Sequence, residues 1–195
     1  MRALRVTPQR PENVAVAVAR AALQVAVLPR AGALPTADIA MRPSVIAYLG
    51  LGANLGDARA TLDSALRRLD QTPGIVVTAR SAYYRTAPMD SSGPDYTNAV
   101  AELQTLLSAP ELVQCLHLME AEAGRERPYR NAPRTLDLDI LVYGDGRIDS
   151  PGLTIPHPRM GARAFVLIPL AEIAPRRVST EQLMSIQEQA IERLP

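Results

Sequence analysis

The chain has 195 residues, enough for one domain with a proper core. Its formal net charge of +1 excludes a whole-chain basic field for nucleic acid or an anionic membrane. A lone cysteine, Cys115, excludes an intramolecular disulfide and fits a reducing cytosol.

The core must be aliphatic, because there is no Trp and Phe165 is the sole Phe. Residues 1–42 are Ala/Val/Arg/Pro-rich and carry only Glu12 and Asp38 as acids. Their apolar run from Val14 is cut by Arg20, too soon for a membrane span. The same arginine weakens a secretory-signal reading, and a basic transit peptide is a further option. The reading preferred is an N-terminal extension, disordered or the product of a start placed too early, with Met41 as a second start. The domain is then expected over 43–195.

Val45–Leu51 is short and apolar, a buried strand. Asp57 can cap a helix running to about Thr72, with Leu62, Ala65, Leu66 and Leu69 on one face. Pro73-Gly74 ends it. Ile75–Arg85 is β-branched and aromatic and predicts one strand, Thr86–Pro94 a loop, and Tyr96–Leu106 another strand. Ser108-Ala109-Pro110-Glu111 is a capping box opening a helix that should run to Gly124. Cys115 sits among Leu112, Leu116 and Met119 on that helix, as a small core residue. Arg125–Arg134 is polar, Arg-rich and contains prolines, so it reads as a loop. Leu136–Tyr143 is a strand, and Gly144-Asp145-Gly146 after it is a hairpin signal. Helices are expected from near Gly161 to Ile173 and from about Thr180 to Leu194. Two consecutive strands between helices predict an α+β fold. The expected form is a ferredoxin-like αβ sandwich, its mostly antiparallel sheet covered by helices.

Gly50-Leu51-Gly52-Ala53-Asn54-Leu55-Gly56 invites a dinucleotide-binding reading. Its spacing is G-x-G-x-x-x-G, and Arg80 and Arg85 stand where a ribose-binding acid would end the next strand. A tight strand-to-helix turn explains the glycines better.

The strongest chemical signal is Arg134-Thr135-Leu136-Asp137-Leu138-Asp139. In a strand, residues two apart share a face, roughly 6.5–7 Å apart. Asp137 and Asp139 therefore present two carboxylates together, while Leu136, Leu138 and Ile140 face a core. Such a pair repels itself unless a cation lies between, and hard oxygen donors suit Mg²⁺. An exposed acidic edge is the bland alternative. Arg125, Arg127, Arg130 and Arg134 precede the acids, and Arg159 and Arg163 come later, close to His157. Cations beside a metal site bracket a polyphosphate, the arrangement phosphoryl transfer needs. Glu120 and His117 share a helix face near Gly124. Tyr96 and Asn98 share a strand face, where a ring and an amide could hold a flat heterocycle.

Arg130–Leu141 resembles the signature of the 6-hydroxymethyl-7,8-dihydropterin pyrophosphokinases (2-amino-4-hydroxy-6-hydroxymethyldihydropteridine diphosphokinases). Leu51–Gly56 is similar to that family's opening turn, Tyr84–Pro88 to its Y-x-T-x-P loop and Asp95–Asn98 to its Y-x-N step. Glu120–Arg127 is similar to its E-x(3)-G-R-x-R segment, and Ile155–Leu167 to its P-H-P-R…R-x-F block. The resemblance covers nearly the whole chain after the N-terminal segment. It implies transfer of pyrophosphate from MgATP to the pterin in folate synthesis, with AMP released.

By the same resemblance, Asp137 and Asp139 hold two Mg²⁺ ions, with ATP as co-substrate. Arg125 and Arg134 act on the triphosphate. Arg127, His157, Arg163, Thr154 and Glu120 lie on the nucleotide side. Asn98 recognises the pterin edge, Tyr96 and Phe165 flank its ring, and Thr86 and Met89 offer backbone contacts. Thr86–Pro94 and Arg125–Ala132 would be mobile lids. A monomeric cytoplasmic enzyme, without nucleic-acid or membrane partners, is implied. Asn131 departs from the aromatic found in some relatives. Competing readings are a non-catalytic ferredoxin-like nucleotide-binding regulatory module and an NADP-dependent pterin reductase.

Overall fold

The computed structural model describes residues 41–88, 93–124 and 135–195. Strands β1 (Val45–Ala53), β2 (Ile75–Arg80), β3 (Tyr84–Thr86), β4 (Tyr96–Thr105), β5 (Asp137–Tyr143) and β8 (Glu192–Arg193) form one six-stranded sheet. Its order is β5-β1-β4-β3-β8, with β2 also on β4, and every pairing is antiparallel. The fold is mixed α/β, with helices on an antiparallel sheet.

Helices α1 (Ala58–Asp70) and α2 (Ala109–Glu122) pack on one face. Asp57 caps α1 by accepting from the Ala60 N–H at 2.9 Å, and Leu62, Ala65, Leu66 and Leu69 are its buried residues, as the periodicity predicts. The Ser108–Glu111 capping box opens α2: the Glu111 carboxylate accepts from both the backbone N–H and the hydroxyl of Ser108 at 2.7 Å. These helices meet Ala47, Leu49, Leu51, Ala99, Ala101, Leu103, Leu138 and Ile140 in the main core. Alternation puts Tyr48 and Val100 on the opposite face, under helix α3 (Ala164–Ile173), and a register shift between β1 and β5 at Tyr48/Leu49 brings Leu141 and Val142 there too.

Several expected elements differ. The strand over Ile75–Arg85 is two strands, because Ser81 interrupts the ladder. Its N–H donates to Val100 O at 2.9 Å while its hydroxyl accepts from Val100 N–H at 3.0 Å, so a side chain takes one place in the pairing. The turn at Gly144 does not make a hairpin with β5. The chain runs on to β6 (Ile148–Ser150), which pairs with β7 (Leu153–Ile155) around Pro151-Gly152. A 3₁₀ turn at Met160–Ala162 precedes α3. The final helix, α4, spans only Thr180–Ser185. The Gln189 side chain then binds Ala162 O and Ala164 N–H, and β8 pairs with the edge of β3. An open sheet edge outweighs helical periodicity there. The expected extension lies outside the described residues except for Met41 and Arg42. The Arg42 guanidinium donates to Glu111 Oε2 at 2.6 Å.

Candidate active site

The register aligns the candidate residues in one row across the sheet. Asp137 on β5 faces Gly52 on β1, Gly52 faces Asn98 on β4, and Asn98 faces Tyr84 on β3. Asp139 faces Gly50 in the adjacent row. Directly paired residues share a face, so both aspartates, Asn98, Tyr96, Thr86 and Tyr84 emerge on the α3 side. Leu138 and Ile140 enter the core on the other side.

Gly50 and Gly52 lie inside β1, so they do not make the strand-to-helix turn; Gly56, with φ of 62°, does that. They clear the floor instead. A Cβ on Gly52 would stand 3.3 Å from Asn98 Oδ1 and 3.9 Å from Tyr96 Cδ1. A bare backbone strip therefore separates the amide from the acids. This feature was missed from sequence, although alternate glycines within a strand are a readable sign of close approach.

Asn98 is 5% exposed, and its Nδ2 donates to Thr86 Oγ1 at 2.9 Å. The amide plane is thereby held by a neighbour. Asn54, also buried, donates to Pro94 O at 3.1 Å and ties the β1 end to the segment entering β4. Tyr84 donates from its hydroxyl to Glu172 on α3 at 2.9 Å, and Glu172 also accepts from the Ala82 N–H. Phe165 on α3 packs at the rim of the same face, with the Arg163 guanidinium 5.3 Å from its ring centre.

A cavity of about 290 Å³ opens beside Asp139. Its walls are Val113, Leu116 and His117 of α2, Leu138–Ile140 of β5, and Leu153, Thr154, His157 and Pro158 after the β6–β7 turn. Thr154 and His157 thus line the same cavity. His157 Nε2 is 3.9 Å from Asp139 Oδ2. Burial holds the imidazole below its usual range; Asp139 opposes that, while Arg163 and Arg159 reinforce it. Its Nδ1 accepts from the Arg159 N–H at 3.2 Å, so the neutral ring carries its proton on Nε2, toward Asp139. Glu120 differs from expectation: it is 1% exposed, and Oε1 accepts from the Leu138 N–H at 2.9 Å, behind the strand. Met89, Arg125, Arg127 and Arg134, with the 125–132 lid, lie outside the described residues, as does part of the 86–94 loop.

Two carboxylates on one rigid strand, facing glycine, fit a hard cation that draws its other ligands from phosphate and water. Among the described residues, no three His, Cys, Asp or Glu come together as a self-sufficient metal cage. Magnesium shared with a nucleotide matches that donor set better than a structural ion does.

The acid couple and the fixed amide thus lie on one face of an antiparallel sheet, beside a cavity, and not on a dinucleotide-binding fold. Residues 48–175 match the family model described as 7,8-dihydro-6-hydroxymethylpterin-pyrophosphokinase. The chain is 42% identical over 154 residues to the 2-amino-4-hydroxy-6-hydroxymethyldihydropteridine pyrophosphokinase of Methylorubrum extorquens, covering 76% of this chain and 98% of that one. It is 41% identical over 155 residues to the Pseudomonas aeruginosa enzyme of that name, covering 76% and 96%. For the Synechocystis enzyme the figures are 46% over 129 residues, 66% of each chain. Among solved structures, a Plasmodium falciparum HPPK-DHPS with pterin and p-hydroxybenzoate matches with a TM-score of 0.58 at 15% identity, over 78% of this chain and 47% of that one. That likeness speaks for the fold. The chain belongs to the 7,8-dihydro-6-hydroxymethylpterin-pyrophosphokinase family.

Proposed function

We propose that this chain transfers the pyrophosphoryl group of MgATP to 6-hydroxymethyl-7,8-dihydropterin, giving the pterin diphosphate and AMP in folate biosynthesis. The observation that carries the reading is the row Asp137–Gly52–Asn98. It supports a pterin held by the Asn98 amide and a triphosphate held at the acids, with only backbone between them. The hydroxymethyl oxygen attacks the β-phosphorus, the bond to the α-phosphate oxygen breaks, AMP leaves, and the hydroxyl proton is released. Asp137 and Asp139 would hold magnesium, two ions in this reading, which supplies Lewis-acid neutralisation of the phosphates when bound.

The chain's own residues orient the partners. Asn98, fixed by Thr86, reads the pterin edge, and Tyr96 and Phe165 flank its ring. Met89 and Thr86 offer backbone contacts. His157, Thr154 and Arg163 line the nucleotide side beside the cavity. Arg127 joins them, and Arg125 and Arg134 act on the triphosphate. The strand order β5-β1-β4-β2 around two helices supports the ferredoxin-like form of the sandwich. We read the domain as 43–195 with a preceding extension, acting as a monomer in the cytoplasm. Among the described residues, no helix is long and apolar enough to cross a membrane.

The test is product analysis with ATP, Mg²⁺ and the pterin. AMP and pterin diphosphate should form in equal amounts, and only when all three are present. Asp137→Asn and Asp139→Asn should each lower turnover by roughly 10³ or more, since several kcal/mol of charge stabilisation is lost. AMP release without pterin, or near-normal rates in both variants across a Mg²⁺ titration, would overturn the assignment.

A further inference from the structure

We infer that Glu120 is a positioning residue for the Asp137/Asp139 pair: its buried carboxylate fixes the strand that bears them, from the side away from solvent. The inference rests on the proposed role of the two aspartates.

Among the described residues, β5 is the outermost strand on its side of the sheet, hydrogen-bonded to β1 alone. Its other edge should therefore carry backbone groups without a strand partner. Two anchors serve that edge. The Leu138 N–H donates to Glu120 Oε1 at 2.9 Å, and Leu141 O accepts from the His157 N–H at 2.8 Å. Leu138 stands between the two acids, and Asp139 stands between the two anchors. Any drift of this edge would carry both carboxylates with it.

The chemistry of Glu120 fits that task better than a nucleotide contact. It is 1% exposed, on the α2 face that also buries Leu112, Leu116 and Met119. It is not among the residues lining the cavity beside Asp139. An apolar side chain would suit this core and avoid the cost of burying a charge. A carboxylate is useful here because its hydrogen bond to a backbone N–H is charge-assisted, roughly twice as strong as a neutral one. Rigidity matters at this point, because misplacing reacting groups by about 1 Å can cost about 100-fold in rate. Supporting groups behind metal ligands commonly govern affinity by 10–100-fold.

The experiment measures binding of α,β-methylene ATP by calorimetry, in Mg²⁺ and in EDTA, to the full chain and to Glu120→Gln, Glu120→Met and Asp139→Asn. Glu120→Met keeps volume but removes the acceptor. It should weaken binding in Mg²⁺ by about 10-fold or more and leave binding in EDTA unchanged. Glu120→Gln keeps an acceptor and should lose about 3-fold in Mg²⁺, with faster hydrogen exchange at the Leu138 amide. That variant carries the test if Glu120→Met does not fold. Equal losses in Mg²⁺ and EDTA would make Glu120 a nucleotide contact and overturn the inference. So would full Mg²⁺-dependent affinity in Glu120→Gln despite a faster Leu138 amide. If Asp139→Asn loses the Mg²⁺ effect and both Glu120 variants retain it, the positioning role alone fails. If Asp139→Asn also binds as the unaltered chain does, the metal reading fails with it.

Discussion

Replacing Gly52 with alanine should damage the pterin side of the site and leave the nucleotide side and the fold nearly untouched. The added Cβ would lie 3.3 Å from Asn98 Oδ1, so the amide must yield by a few tenths of an ångström. Asn98 has little room to yield, because it is 5% exposed and its Nδ2 is already bound to Thr86 at 2.9 Å. Overpacking costs about 1–3 kcal/mol, and this small overlap belongs at the low end. Gly52 has no positive φ, so alanine also restricts the unfolded chain and returns about 0.4–1 kcal/mol. The two effects nearly cancel, and the melting temperature should stay within about 3 °C. Recognition does not share the compensation. Displacing one buried hydrogen-bonding group costs about 1–3 kcal/mol, so pterin affinity should fall by about 10-fold or more. The assay is calorimetry with the pterin on protein saturated with Mg²⁺ and α,β-methylene ATP, beside a titration with the nucleotide analogue alone. Pterin affinity within twofold of the unaltered chain, or an equal loss for both ligands, would refute the placement of the pterin over Gly52.

Asn98→Ala should weaken pterin binding by about 1–3 kcal/mol while nucleotide affinity holds, because the ligand edge loses a planar donor and acceptor; parallel titrations with each ligand check this. Glu111→Gln should lower stability at pH 7 by about 1 kcal/mol, or about 3 °C in melting temperature. The Ser108 hydroxyl, then its backbone N–H and Arg42, hold the Glu111 carboxyl below its reference value of 4.5 against the opposing effect of burial. A depressed carboxylate contributes stability above its unfolded pKa and loses it as pH falls through the folded one. The gap between the two proteins should therefore close below about pH 4.5, and a constant gap in pH-dependent melts would refute it. A chain starting at Met41 should melt and turn over as the full chain does. One starting at Val45 should melt lower, since it loses the Arg42 bond to Glu111 and the Ser44 hydroxyl that accepts from Gln104 at 2.8 Å.

Where local chemistry decides, the sequence was readable. Asp57 and the Ser108–Glu111 box mark helix starts because capping is set within one turn, and the buried stripe of α1 follows from its period. The acids could be placed on one face from their spacing alone. What failed depends on distant partners. Ser81 breaks a strand only because Val100 lies opposite it, and Glu192–Arg193 become a strand because β3 has an open edge. Glu120 reads from sequence as a residue sharing a helix face with His117 and, by the family resemblance, as a nucleotide-side contact. Its burial follows from how α2 lies against β5, which no spacing in the sequence encodes.

In the proposed function, one sheet serves two ligands of opposite character. A flat heterocycle needs a fixed amide and aromatic walls; a polyphosphate needs charge. Had Asn98 and Asp137 been nearest neighbours, the amide would have been drawn into the acid pair. With a side chain at position 52, the two ligands would be kept apart. The register puts one strand between them, and glycine removes that strand's side chains from the gap at both Gly50 and Gly52. The distance is thus set by strand spacing, about 4.8 Å per step, rather than by flexible side chains. In that reading, each ligand's residues are held by a neighbour: Thr86 for Asn98, and Glu120 for the backbone between the acids. A transfer between two bound molecules depends on their separation more than on the affinity of either. A rigid ladder with its middle rung bare is a direct way to fix that separation.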